Sequence, residues 1–261
     1  MKFETIIYEQ HGPVAVIRFN RPHRLNAVVE QLYQETLDAL RLAEKNPSAR
    51  VIVLTGEGRA FCVGADLKEH ANDTRTAYER REYLKLGQSV CGLIQRIPKV
   101  VVAAVNGYAV GAGAEMAISS DFLLMAESAE LGLPEIRLAT FVGGGVTKRL
   151  PQLVGLAKAR EMIFLGERIR GAEAQRIGLA HSVLPDAEFR GRAMEFAERV
   201  ARGAPISMAL AKEQLNTSSG RDLDAVLIAE LEGVSFCTTT SDWREGVMSF
   251  AEKRIPQYKG V

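Results

Sequence analysis

Val100-Val101-Val102-Ala103-Ala104-Val105-Asn106-Gly107-Tyr108-Ala109-Val110-Gly111-Ala112-Gly113-Ala114-Glu115 is the stretch on which the fold turns. The apolar run Val100–Val105 is continuous rather than alternating, as in a strand buried on both faces. A glycine-rich turn follows, and then a helical pattern. Such a strand-turn-helix unit leaves free backbone N–H groups at the helix N-terminus, with Glu115 in or near the first turn. That equipment suits an oxyanion that develops while a carboxylate moves a proton. A second glutamate lies twenty positions on, in Leu131-Gly132-Leu133-Pro134-Glu135. Pro134 fixes the backbone ahead of it. Two carboxylates facing one water cannot both ionise freely, so Glu115 and Glu135 are expected to titrate as a coupled pair.

Other readings of the same residues fail in detail. Gly111-x-Gly113 is followed by Met116, where a dinucleotide fingerprint wants a third glycine or alanine. Gly143-Gly144-Gly145-Val146-Thr147-Lys148 lacks the spacing of a phosphate loop, and Gly87 to Gly92 only approximates a nucleophile elbow. His11, His23, His70 and His181 form no metal-binding pair, and no metal is expected. Cys62 has no basic partner identifiable in the sequence and reads as a small packed residue.

The chain has 261 residues, 47% of them hydrophobic, enough for one or two domains with a full core. A net charge of +1 implies no polyanionic partner. No run approaches the ~20 apolar residues of a membrane span. Met1-Lys2-Phe3-Glu4-Thr5 is charged without an apolar segment behind it, so a signal peptide is not expected. Cys62, Cys91 and Cys237 are odd in number and widely spaced, which points to a reduced, cytoplasmic protein.

Strand-like runs recur at Val14 to Phe19, Val51 to Thr55, Val100 to Val105 and Phe122 to Met125. Leu25, Val28, Val29, Leu32, Thr36 and Leu40 fall on one helical face, and strands alternating with helices predict an α/β layout. From about Leu156 helical patterns dominate. Ala187 to Arg202 reads as a charged amphipathic helix. Leu223, Val226, Leu227, Leu231 and Val234 form a further apolar stripe, and Trp243 and Phe236 read as core or interface residues.

Taken in order, these segments resemble the crotonase (enoyl-CoA hydratase/isomerase) superfamily. The resemblance begins with Arg21-Pro22-His23-Arg24-Leu25-Asn26-Ala27 and Ala60-Phe61-Cys62-Val63-Gly64-Ala65-Asp66-Leu67. It continues through both glutamate segments and Gly143 to Pro151, and ends with Arg244-Glu245-Gly246 and Phe250-Ala251-Glu252-Lys253-Arg254. It implies a spiral of ββα units over residues 1–198, forming two roughly perpendicular sheets, and a C-terminal helical region over 199–261 used for trimer assembly.

The resemblance also implies the chemistry. The N–H groups of Ala65 and Ala112 would receive the carbonyl oxygen of an enoyl-CoA thioester. Loss of one such donor costs about 3–4 kcal/mol of barrier. Glu115 would activate water, Glu135 would supply the proton at C2, and the Gly143 N–H would help hold the water. His23, Arg24 and Lys253 are the candidates for the coenzyme A phosphates, with Val63, Ala65, Asp66, Leu67 and Lys68 around the adenine. Coenzyme A enters as part of the substrate, and no separate cofactor is expected. The same frame serves double-bond isomerases, specialised dehydratases and non-catalytic CoA- or RNA-binding relatives. Keeping both glutamates favours a hydratase, and the near-neutral charge argues against RNA. Four residues depart from the family pattern: Ala112 and Ala139 replace glycines, Leu133 a polar residue and Val142 a proline. They leave the acyl group open, and the charged Asn72–Tyr83 segment makes a short or polar chain as reasonable as a long one.

Overall fold

A computed structural model describes residues 2–261. In chain order the strands are β1 (Ile6–His11), β2 (Val14–Phe19), β3 (Val51–Gly56), β4 (Ala60–Cys62), β5 (Val100–Val105), β6 (Tyr108–Val110), β7 (Phe122–Ala126), β8 (Glu130–Gly132), β9 (Arg168–Arg170) and β10 (Ser182–Leu184). The helices are α1 (Glu30–Lys45), α2 (Leu67–His70), α3 (Ala77–Arg96), α4 (Ala112–Ser119), α5 (Val146–Leu165), α6 (Gly171–Arg176), α7 (Phe189–Val200), α8 (Pro205–Thr217), α9 (Leu223–Thr238) and α10 (Ser241–Glu252).

The four long apolar runs are strands of one six-stranded sheet, ordered β1-β2-β3-β5-β7-β10. It is parallel throughout, except that β1 runs antiparallel to β2. Val51 pairs with both Val14 and Val100, and Ala104 with Leu124. Every residue of β5 is buried, which explains its unbroken apolar composition. The short strands form a second sheet, β4-β6-β8-β9.

The two sheets share one repeating path. β3, β5 and β7 lie in the large sheet; β4, β6 and β8 follow them at once in the small sheet. After each pair the chain enters helix: α2 and α3, then α4, then α5. This is a spiral of ββα units. It adds a strand to the simple strand-turn-helix reading of residues 100–115, because β6 intervenes between the apolar run and α4. Asn106 ties successive turns of the spiral: its side chain accepts from the Gly56 N–H at 3.0 Å and donates to the Gly58 carbonyl at 2.9 Å.

One sequence expectation needs correction. The helical stripe from Leu25 to Leu40 becomes helix only at Glu30. Pro22–Arg24 is a 3-10 turn, and Leu25 and Asn26 are left-handed, with φ of 52° and 57°. Asn26 tolerates this backbone better than most residues. Its buried side chain donates to the carbonyls of Ala60 and Glu57, an alternative to continuing the helix. Leu32, Thr36 and Leu40 do lie on the buried face of α1.

The Ala187–Arg202 pattern is helical over Phe189–Val200, preceded by a 3-10 turn at Asp186–Glu188. Phe189, Ala193 and Ala197 form its buried side, and α7 packs on β2, β3 and β5. The 198/199 boundary therefore falls inside a helix that belongs to the large sheet's cover. Beyond it, α8 is anchored by Lys212. Its buried ammonium lies 2.7 Å from Asp121 and donates to the carbonyls of Ile94 and Lys99. The stripe on α9 is largely uncovered: Leu223, Leu227, Leu231 and Val234 are exposed in the single chain. Trp243 and Phe236 are also half-exposed and so are not core residues.

Candidate active site

α4 starts where three short loops meet. Gly111 precedes it with φ 55° and ψ −124°, and the first helical bond runs from the Glu115 N–H to the Gly111 carbonyl at 2.9 Å. The N–H groups of Ala112, Gly113 and Ala114 therefore lie ahead of the helical ladder. The Phe61–Leu67 segment packs against this point backbone to backbone. Gly64 has φ +84°, and a Cβ there would sit 2.8 Å from the Val110 carbonyl and 3.3 Å from the Ala112 nitrogen. The next residue, Ala65, faces Val28 in a parallel bridge. Val28 donates to Gly64 and accepts from Asp66, so the Ala65 N–H points away from it. Among the described residues neither the Ala65 nor the Ala112 N–H has a backbone acceptor.

Both glutamates are buried at the same end of α4. Glu115 accepts the Gly143 N–H at 2.5 Å. Burial pushes its carboxyl up to about 7; the charge of Glu135 adds to the rise and the Gly143 N–H opposes it. Glu135 opens a 3-10 turn after Pro134. Its carboxyl is also raised by burial, and its Oε2 has no hydrogen-bond partner among the described residues. A Cβ on Gly111 would come within 3.2 Å of Glu135 Oε1, and one on Gly143 within 3.1 Å of Glu115 Oε2. Glycine at these positions is what gives the two carboxylates room. Charged groups this deep are costly unless partnered, and two raised carboxyls side by side are an arrangement for proton transfer.

The four departures have structural counterparts. Ala112 is the first residue of α4 and keeps its N–H. Leu133 is fully buried and Val142 nearly so. Ala139 ends the Glu135 turn at φ 52°, a left-handed backbone that favours the glycine it replaces.

Sequence reading missed the residues around Gly143. Gln88 Oε1 accepts the Gly144 N–H at 3.1 Å, while Gln95 Nε2 and Ser119 Oγ each donate to the Gly144 carbonyl at 3.3 Å. The available signal was spacing: Gln88 and Gln95 lie about two turns apart on α3, which packs on α4.

The coenzyme A candidates divide. The 23–24 and 63–68 segments come together, since the buried Asp66 lies 3.3 Å from Arg21 and 3.5 Å from Arg24. Leu67 and Lys68 begin α2 and are exposed, as is His23; Val63 and Ala65 are half-buried. Lys253 caps α10 in a left-handed conformation, and no hydrogen bond or ion pair among the described residues joins it to the others. Cys62 and Cys91 are buried thiols whose pKa burial pushes up to about 12, which leaves neither a thiolate nucleophile. No cluster of metal-ligating side chains occurs among the described residues.

The family model for enoyl-CoA hydratase/isomerase matches residues 9–261. A crotonyl-CoA hydratase of Syntrophomonas wolfei is 35% identical, with 97% of each chain covered. A mitochondrial enoyl-CoA hydratase of Pongo abelii is 37% identical over 98% of this chain and 88% of its own. The crystal structure of an enoyl-CoA hydratase from Bacillus anthracis superimposes with a TM-score of 0.94 at 36% identity, covering 99% of this chain and all of that one. With both its sequence and its spiral of ββα units matched over nearly its whole length, the chain belongs to the enoyl-CoA hydratase/isomerase family.

Proposed function

We propose that the protein hydrates 2-enoyl-CoA thioesters, reversibly and with syn geometry. The observation that carries this reading is the pair of buried carboxylates, Glu115 and Glu135, near the start of α4, beside the N–H groups of Ala65 and Ala112, which have no partner among the described residues. The thioester carbonyl would lie between those two donors, which are fixed before charge develops. Glu115 would take a proton from water as its oxygen attacks C3. The resulting enolate would be held at the two N–H groups, and Glu135 in its acid form would deliver a proton to C2. Proton exchange with the next water resets the pair. The Gly143 N–H, which donates to Glu115, would border the same water.

Coenzyme A would be bound by His23, Arg24 and the Val63–Lys68 segment, with Lys253 reaching a neighbouring subunit. Asp66 tempers this: it neutralises part of the Arg24 charge. The chemistry draws on the chain's own groups, with coenzyme A as part of the substrate. A trimer or dimer of trimers is supported by the exposed apolar stripe on α9, a surface that a lone subunit would leave wet. A cytoplasmic setting is supported by three free cysteines. Among the described residues no helix is long and apolar enough to cross a membrane.

The test is a turnover panel of enoyl-CoA and 3-hydroxyacyl-CoA thioesters, followed by absorbance of the conjugated thioester. Hydration of at least one trans-2-enoyl-CoA is expected. Shift of a double bond without water addition would replace the reading with an isomerase.

A further inference from the structure

We propose that Gln88 is a positioning residue for the Glu115 carboxylate, acting through the Gly143–Gly144 turn; this rests on the hydratase reading above. Among the described residues, the Gly143 N–H is the only donor to that carboxylate. The turn that carries it is intrinsically loose. Gly144 and Gly145 both have positive φ, and consecutive glycines leave the chain much conformational freedom. The Val146 N–H holds the Gly143 carbonyl at 3.0 Å, and side chains hold the Gly144 N–H and carbonyl. Gln95 and Ser119 hold the Gly144 carbonyl. On the side next to Gly143, the Gly144 N–H is held, among the described residues, by Gln88 Oε1 alone.

Gln88 gains nothing obvious for the fold from this contact. Its residue is exposed, and its side chain makes no other hydrogen bond among the described residues. Ordering an exposed glutamine costs about as much as one ordinary hydrogen bond returns. Its location is more telling. Gln88 Nε2 and Glu115 Oε2 lie 3.0 and 3.1 Å from the point where a Cβ on Gly143 would sit. The amide thus borders the carboxylate whose donor it steadies.

The titratable groups facing Glu115 are Glu135, Tyr33 on α1, Cys62 on β4 and Cys91 on α3. None is a cation, so the Gly143 N–H is the group here that favours the charged carboxylate. Loosening it raises the Glu115 pKa further above its ordinary value. A base must be ionised to act, so the acidic limb of activity moves to higher pH.

The experiment compares wild type with Gln88→Met, which keeps length but removes the acceptor, in hydration of crotonyl-CoA from about pH 5 to about pH 9. Gln88→Ala serves as the second variant, and thermal melting reports whether each is folded. Expected are a fall in kcat of about tenfold, a KM within about twofold, and an acidic limb displaced upward by about half to one pH unit. An unmoved limb in active, folded variants overturns the positioning role alone. So does a KM that changes with the acyl group while the limb stays put, which would make Gln88 a wall of the acyl pocket. A wild-type protein that hydrates no thioester fails the hydratase reading itself, and this proposal falls with it.

Discussion

Replacing Glu115 by glutamine is expected to stabilise the protein while disabling it. Burial lifts this carboxyl from 4.5 to about 7. A group that binds its proton more tightly in the folded chain than in the unfolded one makes stability fall as pH rises between those two values. Below about 4.5 both states are protonated and no penalty exists. Above about 7 both are ionised and the penalty is complete. A rise of that size corresponds to roughly 3 kcal/mol. Glutamine keeps the size and the acceptor for the Gly143 N–H without the charge. The stability gain of Glu115→Gln should thus be under about 1 kcal/mol at pH 5 and approach roughly 3 kcal/mol at pH 8. Urea unfolding of both proteins at matched concentration, at the two pH values, measures it. A gain that does not grow with pH, or a variant less stable than wild type at pH 8, would refute the claim that the fold carries a destabilised carboxylate here.

Further substitutions probe the frame around the pair and the anchor of α8. Ala112 is the first residue of α4, where proline is sterically welcome, so Ala112→Pro should fold by circular dichroism yet lose nearly all turnover, whereas Ala112→Gly keeps it. Retained turnover in a folded proline variant would remove this N–H from the oxyanion site. Ala139→Gly should raise stability by up to about 1 kcal/mol, because Ala139 holds a left-handed backbone; thermal melting decides it. Lys212→Met should cost up to about 3–5 kcal/mol in urea unfolding by leaving the half-buried Asp121 without its cation, and adding Asp121→Asn should recover part of the loss.

What the sequence made legible follows burial. β5 and most of β2, β3 and β7 were readable because strands covered on both faces are written as apolar runs, broken in β2 only by Arg18. The three-residue strands β4, β6, β8, β9 and β10 are too short to show any period, so the alternation between two sheets was reached only through resemblance. The start of α1 was misread because apolar spacing continues through Leu25 and Val28, while the backbone there is held by Asn26 side-chain bonds that spacing does not encode. Glu115 and Glu135 stood out because one follows a glycine-rich turn and the other a proline that fixes the backbone. Gln88, Gln95 and Ser119 did not, because an amide or hydroxyl that holds a distant peptide looks like any helix-surface polar residue until α3 and α4 are packed together.

The two-carboxylate account is tested most directly by the rates at which wild type, Glu115→Gln, Glu135→Gln and the double variant hydrate crotonyl-CoA. Positioned acid–base groups contribute roughly 10²–10⁴, so each single variant should lose at least about a hundredfold in kcat. Binding of the coenzyme A moiety should change little, because neither carboxylate is proposed to touch it. The double variant should be far less than multiplicatively worse, since the two groups act on one water. A loss confined to Glu135→Gln would favour an isomerase, and undiminished rates in both single variants would contradict the account.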